Sequence, residues 1–549
     1  MPDISRRELY RVVALALLIL TLSSLPYALG YAVSSPSLTF DGSLLNTEDY
    51  HSYLSKMQQG ARGDWRCRLL STPEDHEGAY LQTFYIALGH LSTWTGLSLA
   101  QTYHLARLIF GLVLLLVSYL FIAFFLRRRA MRWVAYLLVC FSSGLGWLVH
   151  TIAPTQPGGI SPLDFWFMDA YTFFTIFTVP HFCLAVTSLL LAFTWLLSYF
   201  RTYRVRYVVG AALSAVILGA VHPFTILAFA AVSAVYCLLL WCLRRQIPLR
   251  ESLAVATAGL APGPILVYYY HAFRTDPVLR GWQAQNFTPS PPPLYYVSGY
   301  GLVLFLAVLG SLHTIREVAR VRGRPLAKAI GGALFSQTFH QKGERELFPL
   351  VWVITVAILS YLPLALQRRM IEGVHIPLCI LAAVGLLRGV LPTIYRSRFL
   401  GRVTELLAYD RRRARLFMLN LLVAFTVPSN LYLLASTSLA VLQHNPALFH
   451  TGAENEAIDW LKDHGSWTDT VLSSYLIGGY ITARIGHRVF WGHWDGTVDL
   501  ADKRKMVEAF FEARTSDRAR RAILEKYNVA YLFYGPQERR LGDFSPWSK

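Results

Sequence analysis

The sequence predicts an all-α polytopic membrane protein of about 11 transmembrane helices, with interfacial helices in its first outer loop and a small C-terminal extracytoplasmic α/β domain. Three observations predict it. Of 549 residues, 54% are hydrophobic and only 15% charged, a balance that a mostly water-soluble chain does not carry. Apolar stretches of the length that crosses a bilayer recur along the chain. Lys and Arg gather in alternate gaps between those stretches.

The candidate spans lie near 9–31, 104–126, 133–152, 181–199, 205–221, 224–243, 251–271, 294–313, 349–366, 374–391 and 416–435. With the N-terminus (Arg6, Arg7, Arg11) inside, the inner loops carry Arg127, Arg128, Arg129 and Arg132, then Arg201, Arg204 and Arg206, then Arg244, Arg245 and Arg250. The next two hold Arg316, Arg320, Arg322, Arg324, Lys328, Lys342 and Arg345, and then Arg396, Arg398, Arg402, Arg411, Arg412, Arg413 and Arg415. An odd number of spans leaves the C-terminus outside. The same distribution accounts for the net charge of +18: the bases are topological signals and contacts to anionic membrane lipids, not a nucleic-acid surface. The first span is too long, and followed by too many others, for a cleaved signal peptide. Six cysteines include one outer residue, Cys67, with no disulfide framework and no paired-cysteine metal spacing.

The domain reading is 1–440 for the membrane domain, with its first outer loop at 32–103, and 441–549 for the α/β domain. In the first loop, Tyr50, Tyr53, Leu54 and Met57 recur at helical spacing, which predicts an interfacial helix with its apolar side in the membrane. Asn46 or Thr47 caps it, and Glu48 and Asp49 fill its first turn. Those acids are either no more than first-turn acids or a functional pair. A second interfacial helix is expected over 79–95, after Glu74-Asp75-His76-Glu77, which is either a solvated turn or a metal-ligating cluster. From about 445 the composition turns charged. Helices at 454–462, 478–485, 500–514 and 517–527 alternate with strands at 471–474, 489–493 and 529–534, predicting a largely parallel sheet. The run Phe490-Trp491-Gly492-His493-Trp494 offers either a sugar-stacking surface or a buried strand.

Together these residues resemble the GT-C superfamily of integral membrane glycosyltransferases, nearest its protein O-mannosyltransferase and aminoarabinose-transferase branch. The likeness rests on Asp49 followed by Tyr53, on Gly63-Asp64-Trp65, and on Thr95-Gly96-Leu97-Ser98 leading through Arg107. It continues in Pro180-His181-Phe182, His222-Pro223-Phe224, and Arg368-Arg369 with Gly373 and Pro377. The acidic pair reads Glu48-Asp49 where the family has Asp-Glu. The resemblance implies an inverting enzyme that moves a sugar from a polyprenyl-phosphate donor lipid to a glycan, lipid or protein hydroxyl at the outer face.

Such chemistry needs one carboxylate to take the acceptor proton and cations to steady the leaving phosphate. Asp49, with Glu48, is the candidate base. Arg368, Arg369 and Arg107 stand at outer span ends, either to hold the donor phosphate or as snorkelling side chains. His76, Glu77, His181, His222, Trp491 and His493 are candidate substrate contacts, and lone histidines such as His181, His222 and His375 also suit packing. The residues assign no metal and no definite cofactor, leaving a divalent ion open. An Asp-x-Asp motif and a phosphate-binding glycine loop with Lys and Ser/Thr are both missing, which argues against nucleotide-sugar and ATP-driven chemistry. The rival classes are a secondary transporter or lipid-linked-glycan flippase, for which Gly259 to Pro264 and His222-Pro223 would supply broken helices, and a non-catalytic scaffold.

Overall fold

The computed structural model describes residues 4–152, 161–323, 343–396, 402, 405 and 410–544. Arg324, Lys328, Lys342 and Arg398, counted above among the inner bases, lie outside these residues. Helix predominates, and the chain is a multi-pass membrane protein. Among the described residues, six helices are long and apolar enough to cross a membrane: Arg6–Ala32, Leu99–Phe125, Pro180–Thr202, Thr225–Arg244, Pro293–Arg320 and His375–Arg396. Three bent pairs raise the number to nine if each is one span: Arg129–Phe141 with Gly146–Ile152 (45°), Leu249–Leu260 with Gly263–Thr275 (41°), and Arg412–Ala424 with Pro428–Leu442 (51°).

All eleven expected stretches fall on helix, but two fall short of a span. Val205–Val221 has 17 residues, about 26 Å of helix. Phe348–Leu359 has 12, about 18 Å, against a hydrocarbon layer of about 30 Å. The second stops because Pro363 follows within a turn, and proline has no N–H to carry a helix on. The break at Ser142–Leu145 exposes backbone donors that the apolar surroundings cannot satisfy. Asp164 resolves this, its Oδ2 accepting the N–H groups of Gly144 and Gly146 at 3.0 and 3.1 Å.

The described residues form two compact units. The first comprises Met1–Ser23, Arg107–Gly263 and Thr288–Ala435. Several of the bases read as topological signals are ion-paired within it, Arg132 and Arg244 among buried partners. Arg132 donates to both oxygens of buried Glu8 at 2.9 Å, and Arg244 bridges Glu251 at 2.6 Å and Glu344 at 2.8 Å.

The second unit comprises Ser24–Ala106, Pro264–Phe287 and Ser436–Lys549. Strand β1 (Leu38–Phe40) pairs antiparallel with β2 (Phe449–Thr451), Phe40 opposite Phe449. A capping box in which Thr451 and Glu454 exchange bonds then starts helix Gly452–His464. Strands β3 (Thr470–Leu472), β4 (Arg488–Val489) and β5 (Val529–Leu532) form a parallel sheet in the order β4-β3-β5. Helix Tyr475–Arg484 connects β3 to β4, and helices Leu500–Phe511 and Asp517–Lys526 precede β5. Alternation along β3 sends Val471 to a cluster with Ile458, Ile477 and Ile481, and Leu472 to one with Phe490, Val507 and Phe511.

The expected first-loop helices form as Thr47–Ala61 and Thr83–Thr95. The second begins four residues later than expected, because Ala79 pairs through its backbone with Cys67 instead. Tyr50, Leu54 and Met57, expected to face the membrane, are buried by protein. The two helices approach through glycines: a Cβ on Gly60 would stand 2.0 Å from the Ile86 carbonyl oxygen, and one on Gly89 2.0 Å from that of Met57.

Candidate functional site

In the second unit the 47–61 helix starts on Asn46, whose φ of 50° is left-handed and whose side chain makes no cap bond. The Thr47 hydroxyl meets Ser43 Oγ at 2.9 Å instead of closing the helix end. Neither expected cap therefore acts as one. Glu48 and Asp49 still occupy the first turn, and each has a specific partner. Glu48 Oε2 accepts from the Tyr475 hydroxyl at 2.6 Å. Burial, and then the Glu48 charge, push that phenol well above its ordinary pKa.

Asp49 Oδ1 stands 3.3 Å from His493 Nε2, and His493 Nδ1 stands 2.7 Å from Asp495 Oδ1. Burial by itself would lower the His493 pKa, but the two carboxylates outweigh it and bring it up to about 9. His493 is therefore held toward its cationic form, with a carboxylate beside each ring nitrogen. Asp49 keeps 30% of its side-chain surface exposed, whereas His493 is buried. The loop that carries His493 is held from behind. Thr497 Oγ1 accepts the N–H groups of Gly492 and His493 and donates to the Ser71 carbonyl, and Gln285 donates to the carbonyls of Asp495 and Thr497.

Lys56 lies buried on the same helix, donating to Ser52 Oγ at 2.7 Å. Burial lowers its pKa, against the pull of nearby groups that include Asp495 and Asp49. Sequence reasoning passed over Lys56, although Asp49, Ser52 and Lys56 keep the i, i+3, i+7 spacing of one helix face. Tyr475 and Asp495 carried no local signal.

The Glu74-Asp75-His76-Glu77 cluster does not converge on one point. Glu74 pairs with Lys503 at 2.6 Å, Asp75 with Arg488 at 2.7 Å, and exposed Glu77 with Arg66 at 3.5 Å. His76 accepts the Leu69 N–H on Nε2 and donates from Nδ1 to Asp276 at 3.0 Å; burial lowers its pKa, so it stays neutral. Trp491 is 4% exposed, with its indole N–H given to the Ser473 carbonyl. It offers no face to a sugar, and Trp494 is the half-buried tryptophan of that run.

In the first unit Arg368 and Arg369 open a single 3₁₀ turn, Arg368–Ile371. The Arg368 guanidinium lies over Trp166 at 4.9 Å. Arg369 lies over Phe182 and Phe224 and donates to Asp169 Oδ2 at 3.4 Å. Beside them His222 Nδ1 bonds Glu372 at 2.8 Å, and the His181 ring meets that of His222 edge-on at 4.8 Å. His375 is bonded to Ser142 and Thr172, each at 3.0 Å. Arg107 is 1% exposed and donates to Ser23 Oγ and the Ile176 carbonyl, so it neither snorkels nor reaches solvent.

The fold of the chain is similar to that of solved oligosaccharyltransferase structures. Among solved structures, the chain is similar to the Archaeoglobus fulgidus oligosaccharyltransferase in its apo form, at 14% identity and a TM-score of 0.50, covering 95% of this chain and 69% of that one. It is equally similar to the oligosaccharyltransferase AglB of the same organism in complex with an inhibitory peptide and a dolichol-phosphate, at 14% identity and a TM-score of 0.51, over 96% and 70% of the two chains. A mycobacterial arabinofuranosyltransferase, AftD, matches at 16% identity and a TM-score of 0.37, over 86% of this chain and 31% of its own. No protein-family model and no curated protein matches the sequence.

Proposed function

We propose that the chain is an inverting glycosyltransferase that moves a sugar from a polyprenyl-phosphate donor to an acceptor hydroxyl at the extracytoplasmic face. The observation that carries this reading is the half-exposed Asp49 carboxylate in the first outer loop, fixed from one side by the His493 imidazolium. In this reading Asp49 takes the acceptor proton as the hydroxyl oxygen attacks the anomeric carbon. The bond from that carbon to the phosphate oxygen breaks, and polyprenyl phosphate leaves with the electron pair. Glu48, bonded to Tyr475, shapes the first turn. Arg368 and Arg369 take the donor phosphate, since a guanidinium donates two parallel N–H bonds to a pair of phosphate oxygens. The GT-C fold supports a lipid-linked donor, and the neighbour AglB is itself solved with dolichol-phosphate. The acceptor is a glycan, a lipid or a protein.

The experiment is release of polyprenyl phosphate from native-membrane lipid extract by the detergent-purified chain, followed by mass spectrometry. Appearance of the free phosphate lipid with a matching acceptor product supports the reading, and an unchanged donor pool refutes it. The three bent helix pairs favour a second reading, a lipid-linked-glycan flippase or secondary transporter. That reading predicts labelled lipid exchanged between leaflets of proteoliposomes with no bond cleaved.

A further inference from the structure

We infer that Asp41, His51 and His450 form a binding site for one divalent cation of the zinc class within the second unit. The inference stands apart from the glycosyl-transfer reading. One ligand atom from each of these three side chains lies within 4.8 Å of the other two. Asp41 Oδ2 and His51 Nε2 are 3.1 Å apart, sharing a hydrogen bond that a bound cation would replace. Two ligands of a tetrahedral zinc, each about 2.0 to 2.1 Å from the metal, stand about 3.3 Å from one another. The pair is therefore already spaced as neighbours around a single ion.

The second observation is His450. It is 2% exposed, and neither of its ring nitrogens has a hydrogen-bond partner among the described residues. A buried imidazole left this way has lost water and gained nothing in return, and a cation bound at one nitrogen removes the deficit. Its ring is stacked on Tyr480 at 3.5 Å and 8°, which fixes the plane by its face and leaves the nitrogen edges open.

The carboxylate is oriented from behind, as metal ligands usually are. Ser43 donates its N–H to Asp41 Oδ1 at 2.7 Å and its hydroxyl to Oδ2 at 3.1 Å. Two imidazoles and one carboxylate suit zinc or a neighbouring first-row ion and leave a coordination position open. Because His51 belongs to the 47–61 helix and His450 to β2, the ion would tie the helix that carries Asp49 to the β1–β2 pair.

The test uses the full chain in detergent, stripped with chelator and titrated with Zn²⁺, with bound metal read by mass spectrometry. One zinc per chain is expected. His450→Gln and Asp41→Asn should each weaken binding by more than the 10- to 100-fold typical of losing an outer partner. His487→Gln, another buried histidine with unpartnered nitrogens, should bind as the wild type does. Cobalt added to the wild-type chain reads the site without a variant: intense visible bands of a low-coordinate nitrogen–oxygen site support it. Equal zinc affinity in wild type and His450→Gln, or cobalt bands of a six-coordinate hydrated ion only, would overturn the inference.

Discussion

Replacing Asp49 by Asn separates a base from a helix-terminal acid, because the two roles differ in magnitude by several kcal/mol. A general base contributes about 100- to 10,000-fold, on the order of 3 to 5 kcal/mol of barrier. A first-turn acid contributes a few tenths to about 1 kcal/mol of stability. The structure keeps the stability cost small. The amide oxygen of Asn still accepts from His493 Nε2, Asp495 still holds Nδ1 at 2.7 Å, and the lost ion pair involves a partly exposed carboxylate that water screens. The expected loss of stability is about 1 kcal/mol, seen as a small drop in unfolding temperature, whereas turnover should fall by at least about 100-fold. The assay is polyprenyl phosphate released per enzyme per minute, with donor binding measured alongside. Near-normal turnover in Asp49→Asn combined with collapse in Glu48→Gln would move the base one residue back. Near-normal turnover in both would remove this loop from the chemistry.

Four further outcomes follow from the same geometry. His493 has a folded pKa of about 9 against about 6.5 when unfolded, so its pairing stabilises fully below pH 6.5 and is lost as pH rises through 9. The contribution is on the order of 3 kcal/mol, and thermal unfolding across that range should flatten in His493→Gln. Arg369→Ala should weaken donor-lipid binding by about 2 kcal/mol, and unchanged affinity in both this variant and Arg368→Ala would discard the phosphate role. Trp491→Ala should cost about 3 to 5 kcal/mol of stability, whereas Trp494→Ala should leave the unfolding temperature nearly unchanged. Gly89→Ala sets a methyl 2.0 Å from a carbonyl oxygen and should destabilise by more than the roughly 1 to 3 kcal/mol of ordinary overpacking, read as poor yield of folded chain.

What local pattern determines was legible, and what chain closure determines was not. Twenty apolar residues specify a helix wherever they fall, so every expected span lies on one. Whether that helix runs unbroken depends on single residues, Pro363 in one case and Gly144 with its partner Asp164 in another. The helix–strand order of 452–532 followed from periodicity, although β4 stops at Val489, with Phe490 and Trp491 buried beyond it in the cluster around Val507. Asp49 and His493 could each be picked out as polar residues in suggestive surroundings. That they form a pair could not, since 444 residues separate them. The same distance hid Tyr475 behind Glu48. Glu74 to Glu77 misled for the converse reason: residues adjacent in sequence point to Lys503, Arg488, Asp276 and Arg66, so adjacency did not mean convergence.

The pairing of Phe40 with Phe449 sets a timetable for biogenesis. A ribosome adding about 5 to 20 residues per second needs on the order of 20 to 80 s to travel from one strand to the other. Throughout that interval β1 has no partner, and its row of unpaired amides and carbonyls invites any other extended chain. Only three residues long, β1 offers such a chain little to bind. The nascent protein thus passes through a stage in which several spans are already made while the surface carrying Glu48 and Asp49 awaits a segment not yet synthesised. A ribosome stalled before residue 449 would leave a membrane-bound chain in which β1 has no β2 to pair with.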